Sequence, residues 1–329
     1  MIQSNTKLIP SERELAQMCT RAGISDARQF LPIDIGDFNA AFHIVTAAHG
    51  DFILKISPRY GSPVLTHERS IMHTELTAYD LIRTRTNVRV PRVIFSDFSG
   101  KCMPCDWFIM EALDGCPLSR MPRAVRQSPD ILRAIGEAAA QIHSIHGDGF
   151  GYEQWGLRNV WRDAYLEMTH NIIADAKRLG TEIPYVHEVR ETIRRYEREL
   201  DAVTVPHLVH FDLSEEHILV IQENGAPLLS AVIDPDSAYW GDPAGDFILL
   251  GQADQPAFWE GYRAAGEPSE WNRNLRIRTL LMQLYLEIIR YTRIDIRFEK
   301  NSFHYKRMKL AARRGISQTL HLLHEQEKQ

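Results

Sequence analysis

The residues best suited to chemistry lie close together in the second half of the chain. Asp212 and His217 are five positions apart, and an apolar run farther along ends on Asp234. Between them, Glu223-Asn224-Gly225 is typical of a tight turn that joins two strands. A hairpin of this kind returns Asp234 to the neighbourhood of His217. Both side chains could then hold one cation while Asp212 stays available to a hydroxyl group.

A lysine upstream adds another kind of group. Lys55 belongs to the run Asp51-Phe52-Ile53-Leu54-Lys55-Ile56, whose alternation is typical of a strand. Phosphoryl transfer requires a metal on the phosphate oxygens, a cation on the inner phosphates and a carboxylate that accepts the hydroxyl proton. Lys55, Asp212 and Asp234 together meet these needs. Taken alone, the hairpin could be an ordinary two-stranded ribbon with acidic turns, and Lys55 could be a solvated lysine at a strand end. The presence of both in one chain favours a phosphoryl-transfer site.

The motifs around this hairpin resemble the aminoglycoside phosphotransferase and choline kinase family, a branch of the protein-kinase-like fold. Residues 210–217 match its HxDxxxxN spacing, Ile233-Asp234-Pro235-Asp236 resembles its I-D-x-[DE] segment, and Gly241-Asp242-Pro243 with Asp246 resembles its GDP…D sequel. The resemblance spans residues 30–250. It implies that Asp212 is the catalytic base and Asp234 the main magnesium ligand. It also implies that His210 and Asp246 support the catalytic loop.

Two positions depart from the family pattern. His217 stands where the family usually has asparagine, and Phe211 where it often has glycine. Magnesium prefers hard oxygen donors, so an imidazole favours manganese or a water-bridged contact. Macrolide kinases of the family also carry histidine at that place. The predicted metal ligands are therefore His217 and Asp234, the ion is Mg²⁺ with Mn²⁺ as the alternative, and the phosphate donor is ATP or GTP.

The resemblance also implies nucleotide-binding residues in the first third of the chain. Glu68 and Glu75 lie on one face of a predicted helix, and the resemblance favours Glu75 as the partner of Lys55. Residues 35–41 take the place of the nucleotide-covering loop, although Asp37 would repel phosphate if it faced inward. Backbone groups of residues 111–113 would meet the purine edge. The predicted nucleotide-binding residues are Lys55, Glu75, Phe38, Asn39, Glu111 and Leu113.

Strand-like and helical runs together predict an α+β fold with two lobes, as in protein kinases. Five strand-like runs are separated by turns and lie at residues 31–36, 41–46, 51–57, 92–97 and 106–112. One helical run, residues 63–85, follows the third of them. Helices dominate from residue 118 onward. We expect a nucleotide-binding lobe of five antiparallel strands and one helix at residues 1–113, with a hinge at residues 110–116. The larger, mainly helical lobe, residues 114–329, would hold the catalytic loop, the metal hairpin and the acceptor site.

Composition narrows the class of protein. The chain has 329 residues, of which 44% are hydrophobic and 25% charged, as in ordinary globular proteins. No apolar run approaches a membrane span, and the first residues lack the apolar core of a signal peptide. We therefore expect a cytoplasmic protein without a membrane partner. Cys102-Met103-Pro104-Cys105 has redox spacing but precedes a strand, so plain reduced thiols are expected.

Charge is distributed unevenly along the chain. The net charge is −5, yet residues 271–329 contain 13 Lys and Arg against 5 Asp and Glu. These basic residues alternate with apolar ones at helical spacing, which favours a solvated helix face over a nucleic-acid surface. We predict no nucleic-acid partner. The sequence does not decide the oligomeric state.

The acceptor is predicted from the same charges. Carboxylates that could receive an amine follow Asp212, namely Glu215, Glu216, Asp236, Glu260 and Glu267. The basic stretch after residue 270 disfavours a polycation. We therefore predict a kinase for the hydroxyl of an antibiotic, such as an aminoglycoside or macrolide, or of a related metabolite, with at most one or two positive charges. The alternative is a nucleotide-binding regulatory pseudokinase, which His217 and the glycine-poor loop would suit.

Overall fold

The structure is a computed structural model, and it describes residues 4–33, 36–249, 255–266, 270–300 and 302–327. The strands are β1 (Ala27–Ile33), β2 (Ala40–Thr46), β3 (Phe52–Ile56), β4 (Val93–Asp97), β5 (Trp107–Glu111), β6 (Cys116–Pro117), β7 (His207–Val209), β8 (Ile218–Glu223), β9 (Ala226–Val232) and β10 (Tyr239–Gly241). The helices are α1 (Glu12–Arg21), α2 (Ile71–Arg85), α3 (Arg123–Arg126), α4 (Pro129–His143), α5 (Trp161–Arg178), α6 (Val186–Tyr196), α7 (Ala244–Phe247), α8 (Pro256–Ala264), α9 (Arg273–Arg297) and α10 (Phe303–Glu325).

Five of the strands form one antiparallel sheet. Its order is β1-β2-β3-β5-β4, and every neighbouring pair is antiparallel. Ile44, Leu54 and Ile109 on its strands are fully buried, and they form a core with α1. The predicted α+β class with a five-stranded antiparallel sheet is confirmed. Lys55 lies in β3 opposite Ala41 and Phe108, on the central part of this sheet.

The chain divides into two compact units, both built from separate stretches. The first comprises Met1–Val64, Pro91–Leu113 and Asp295–Tyr305, and the second comprises Leu65–Val90, Asp114–Ile294 and Lys306–Gln329. A stretch of the first unit ends at Leu113, the predicted boundary, but Leu65–Val90 and Asp295–Tyr305 do not follow a division into two continuous segments. Helix α2 belongs to the second unit, in which Tyr79 accepts a hydrogen bond from Asp234 N. The last residues of α9 belong to the first unit.

The second unit carries the hairpin that the sequence predicts. Strands β8 and β9 pair antiparallel from Ile218 opposite Val232 to Glu223 opposite Ala226. The two turn residues, Asn224 and Gly225, have φ of 52° and 81°, the left-handed conformation that this short turn requires. The hairpin therefore places residues 217 and 234 at adjacent strand ends.

Helices make up most of the second unit. Helices α4 and α8 approach each other at backbone distance, since a Cβ added at Gly136 would lie 2.0 Å from the Phe258 carbonyl oxygen. A Cβ at Gly261 would lie equally close to the Arg133 carbonyl oxygen. Within the described residues, no helix combines the length and the apolar character needed to cross a membrane.

Candidate active site

The segment between β7 and β8 is held in place by one buried carboxylate. Asp246, in α7, is fully buried and accepts hydrogen bonds from His210 N at 2.9 Å and Phe211 N at 2.7 Å. The Nε2 atom of His143, in α4, lies 2.9 Å from the same carboxylate, and its Nδ1 lies 2.9 Å from the Tyr262 hydroxyl. Asp246 thus fixes the backbone immediately before Asp212. Sequence reasoning missed His143, because a lone histidine in a helix carries no signal of such a role.

Phe211 has a conformation that explains why glycine often suits its position. Its φ is 64°, in the left-handed region that a side chain disfavours. The buried ring packs edge-on to Tyr239, with centroids 5.2 Å apart, and stacks on Tyr285 at 5.8 Å. This aromatic packing, with the two hydrogen bonds to Asp246, holds the strained backbone.

His210 is locked as a neutral imidazole. Its Nε2 donates to the Ile233 carbonyl oxygen at 3.1 Å, so Nδ1 is left to accept the backbone N–H of Asp212 at 3.3 Å. Burial lowers the pKa of His210 to about 4, although the negative charge of Asp246 opposes this. Protonation of Nδ1 would remove the acceptor for the Asp212 N–H. His210 therefore orients the backbone of Asp212.

Asp212 has charged neighbours of both signs. Its side chain is 43% exposed. Partial burial of the Asp212 carboxylate raises its pKa, because desolvation disfavours the charged form, and the negative charge of Asp234 raises it further. The positive charges of His217, Arg293 and Arg290 oppose this shift. A carboxylate with a raised pKa binds a proton more readily, as a general base must.

His217 connects Asp212 with Asp234. Its Nδ1 donates to the Asp212 carbonyl oxygen at 2.7 Å, and its Nε2 lies 3.6 Å from Asp234 Oδ2. Burial lowers the pKa of His217, but the charges of Asp212 and Asp234 raise it more, so the net shift is upward. Because Nδ1 is engaged with the backbone, Nε2 is the ring atom that faces the predicted metal position. Direct ligation by His217 stays a prediction.

Asp234 follows β9 and is fixed by α2. Its φ is 65°, and its backbone N donates to the Tyr79 hydroxyl at 2.8 Å. That hydroxyl in turn hydrogen-bonds to the Glu75 carboxylate, one helical turn earlier. Burial, together with the charges of Glu75 and Asp234, raises the pKa of Tyr79 well above its usual value. Sequence reasoning assigned no role to Tyr79, because its partner is 155 residues away.

Three carboxylates lie where a cation could be held. Three carboxylate oxygens, one from each of Glu75, Asp234 and Asp236, lie within 4.8 Å of one another. Opposite ligands of an octahedral Mg²⁺ are about 4.2 Å apart, so these oxygens fit such an ion after a small contraction. Hard carboxylate oxygens are also the donors that Mg²⁺ prefers. The sequence assigned Asp236 to the acceptor and Glu75 to the nucleotide, whereas the structure brings both to Asp234.

The other predicted acceptor carboxylates are engaged or exposed. Glu215 pairs with Arg126 at 2.6 Å, and Glu260, on α8, pairs with Arg133 at 3.1 Å. Glu216 is exposed. Glu267 lies outside the described residues. The contacts of Glu215 and Glu260 reduce the negative charge that either could offer to a cationic acceptor.

The predicted nucleotide residues of the first unit lie on the sheet and its first loop. Lys55 is buried in β3, Asn39 is buried before β2, and Phe38 is half-buried beside it. Residue 35 of the predicted loop lies outside the described residues.

The backbone N–H groups predicted to meet the purine are partly engaged within the protein. The N–H of Glu111 donates to the Arg92 carbonyl oxygen, and that of Ala112 donates to the Asp51 carbonyl oxygen. Those two N–H groups are therefore not the donors for a purine, while Leu113 stays a predicted contact. The pairing of Lys55 with Glu75 also stays a prediction. Glu68, the other carboxylate considered, accepts from Leu65 N at 2.8 Å.

A family model described as "APH: Phosphotransferase enzyme family" matches residues 30–274. The "Probable ketoamine kinase" of Lactiplantibacillus plantarum is 25% identical over 260 residues, which cover 74% of this chain and 81% of the relative. The matched length is much greater than that of the motifs at residues 210–246.

Solved structures share the fold. A protein of Thermobifida fusca YX-ER1, provisionally named a fructosamine-3-kinase, has 17% identity and a TM-score of 0.64, covering 94% of this chain and 100% of that one. A thermostable mutant of aminoglycoside phosphotransferase APH(4)-Ia, in a complex with AMP-PNP and hygromycin B, has 17% identity and a TM-score of 0.62, covering 94% and 97%.

Proposed function

The chain belongs to the APH phosphotransferase enzyme family and is a small-molecule kinase, and from this we propose that it transfers the terminal phosphate of ATP to a hydroxyl of a ketoamine. GTP is the alternative donor. The observation that carries the proposed phosphate transfer is the spatial arrangement of Asp212, His217 and Asp234, in which His217 contacts both acidic residues. In this proposal Asp212 is the proton acceptor, and His217 connects it to Asp234, one of the carboxylates that would hold the metal.

Each residue of the second unit has a separate task in this proposal. Asp212 accepts the proton of the attacking hydroxyl, and His210 with Asp246 holds its backbone. Asp234 and Asp236, with His217, would hold the metal. A Mg²⁺ or Mn²⁺ ion bound there would neutralise charge on the phosphate oxygens.

The nucleotide would be bound mainly by the first unit. Lys55 would meet the inner phosphates, and Phe38 and Asn39 would cover them. Residues 111–113 would meet the purine, through groups other than the N–H of Glu111 and Ala112, because those two donate within the protein. Glu75 would stabilise Lys55 or join the metal carboxylates.

The acceptor is proposed from charge and from the relatives. Arg290 and Arg293 of α9 act on Asp212 electrostatically, so the field around the base is partly positive. Glu215 and Glu260 are neutralised by arginines. A polycation gains little in such surroundings. A ketoamine carries several hydroxyls and one amine, and the Lactiplantibacillus and Thermobifida proteins are named as kinases of a ketoamine and of a fructosamine.

A hydroxylated antibiotic is the second candidate. The structural neighbour bound to hygromycin B favours it, because that ligand is an antibiotic with hydroxyl groups. The exposed Glu216 could contact an amine of such an acceptor.

Phosphate transfer to a panel of acceptors tests the proposal. A fructose-derived ketoamine, hygromycin B, kanamycin and a macrolide would be offered with ATP or GTP and with Mg²⁺ or Mn²⁺, and product would be identified by ³¹P NMR. We expect transfer to the ketoamine. Turnover of kanamycin without turnover of the ketoamine would contradict the acceptor class. Tight nucleotide binding without transfer to any acceptor would favour the regulatory pseudokinase.

Variants separate the roles of the two aspartates. Asp212→Asn should keep nucleotide binding and lose about 100-fold or more in kcat, because removal of a general base costs that much. Asp234→Asn should lose metal-dependent nucleotide binding as well. Asp201→Asn, at a surface pair with Arg162, is the matched control and should behave like the parent.

A further inference from the structure

Arg297 is a buried cation in the first unit. It is the last residue of α9, and its side chain is 1% exposed. A guanidinium buried to this degree requires compensating contacts, because the desolvation of a charge is costly. Its partners therefore indicate what it stabilises.

Those partners lie in the loop before β2. Arg297 Nε is 3.7 Å from Asp37 Oδ1, and its Cζ lies 4.3 Å from the centroid of the Phe38 ring. This combines an ion pair with a cation–π contact, which a planar guanidinium makes well. Arg297 thus holds two consecutive residues of the loop at once.

The N-terminal segment strengthens the same arrangement. The Asp37 carbonyl oxygen accepts hydrogen bonds from Ser4 Oγ at 2.5 Å and Thr6 Oγ1 at 3.3 Å. Arg297 Nη1 donates to Thr6 Oγ1 at 3.4 Å, and its carbonyl oxygen accepts from Asn5 N at 2.7 Å. Both the backbone and the side chain of Asp37 are therefore fixed by segments distant in sequence.

We propose that Arg297 is a positioning residue for the nucleotide, which it serves by neutralising Asp37 and by holding Phe38. The inference rests on the proposed function, in which Phe38 and Asn39, next to Asp37, cover the phosphates. An uncompensated Asp37 would repel those phosphates. With Arg297 paired to it, the loop presents no net negative charge, and its shape is fixed before ATP binds.

Neutralising the two charges singly and together tests this role. Arg297→Gln leaves Asp37 uncompensated, and we expect the KM for ATP and the Kd for AMP-PNP to rise by about tenfold, the effect of one like charge at the edge of a site. The KM for the acceptor should change less than twofold. Adding Asp37→Asn to Arg297→Gln should recover most of the nucleotide affinity. Asp37→Asn alone should not weaken nucleotide binding. Arg297→Lys should be intermediate, since it keeps the charge without the planar stack.

The control is another Arg–Asp ion pair of the same unit, with a buried carboxylate. Arg21 pairs with the buried Asp97 at 2.7 Å, and Arg21→Gln should lower the unfolding temperature without changing the Kd for AMP-PNP. Equal loss of nucleotide affinity in Arg297→Gln and in the double variant would overturn the proposal, since the role would then be structural. An inactive parent enzyme that binds AMP-PNP would refute the proposed function instead, and the binding comparison would still decide the role of Arg297.

Discussion

Two residues beside the candidate active site, Phe211 and Asp234, have left-handed backbone conformations without being glycine. Each costs about 1–3 kcal/mol and persists because neighbours fix it. Asp246 fixes the first and Tyr79 the second. At the scale of the residue, conformational strain is thus present at the two positions that orient Asp212 and Asp234.

The neutral state of His210 makes stability depend on pH. Its folded pKa, about 4, lies below the ordinary value of 6.5, so the unfolded chain binds this proton first. The contribution of His210 to the free energy of unfolding is fully present above pH 6.5. It falls by up to about 3 kcal/mol as the pH falls from 6.5 to 4. His210→Gln, which can make both hydrogen bonds without titrating, should flatten the dependence of unfolding free energy on pH in this window.

Denaturant unfolding at several pH values measures this effect. His187→Gln is the control, because the side chain of His187 is 87% exposed. An identical pH slope for the parent and His210→Gln would show that another group dominates acid unfolding.

His217 should set the metal preference. His217→Asn replaces an imidazole nitrogen with a hard oxygen, so we expect activity to persist and the preference to shift from Mn²⁺ toward Mg²⁺. The raised pKa of His217 means that protons compete with metal, so metal affinity of the parent should fall as pH falls, more steeply than that of the variant. Metal titrations of both proteins provide the measurement. An unchanged metal profile would mean that His217 only orients the loop through the Asp212 carbonyl oxygen.

At the scale of elements, the crossing of α4 and α8 positions the side chains that support residues 210–212. Gly136 and Gly261 let the two helices touch at their backbones. His143 follows on α4 and Tyr262 on α8, and their hydrogen bond leads to Asp246. The geometry of residues 210–212 therefore depends on how closely these helices pack.

Gly136→Ala should separate the helices. The added methyl group would overlap the Phe258 carbonyl oxygen, and we expect a loss of about 1–3 kcal/mol or more in unfolding free energy. The value of kcat should also fall, because the movement reaches Asp246 through His143. Glu137→Ala, at the adjacent exposed position, controls for helix propensity. Parent-like stability of Gly136→Ala would show that the crossing can relax.

Elements with local signals could be predicted from the sequence. The Asn224-Gly225 turn and the alternation in β3 identified the hairpin and the sheet. Contacts between distant segments could not be predicted, since nothing in the sequence around Tyr79 or Arg297 points to Asp234 or Phe38. The same reason explains Asp236, whose approach to Glu75 depends on how α2 packs.

At the scale of the whole molecule, the first compact unit is discontinuous. Residues 295–305 complete it, with Ile296, Arg297 and Phe298 buried there. A nucleotide-binding lobe made of residues 1–113 alone would lack these side chains.

A fragment of residues 1–113 should therefore unfold without a cooperative transition and should not bind AMP-PNP. The same fragment joined to residues 295–305 by a flexible Gly/Ser linker should regain part of both properties, because the linker restores the missing buried contacts at high effective concentration. Thermal unfolding followed by circular dichroism gives the comparison. A cooperative transition in the unlinked fragment would show that residues 295–305 are dispensable.

The late arrival of Arg297 has a consequence for biosynthesis. A ribosome adds about 5–20 residues per second, so about 10–40 s separate the emergence of Leu113 from that of residue 297. During this interval the loop at Asp37 and Phe38 lacks the side chain that holds it. The nascent sheet must then remain soluble, and open to chaperones, until α9 is almost complete.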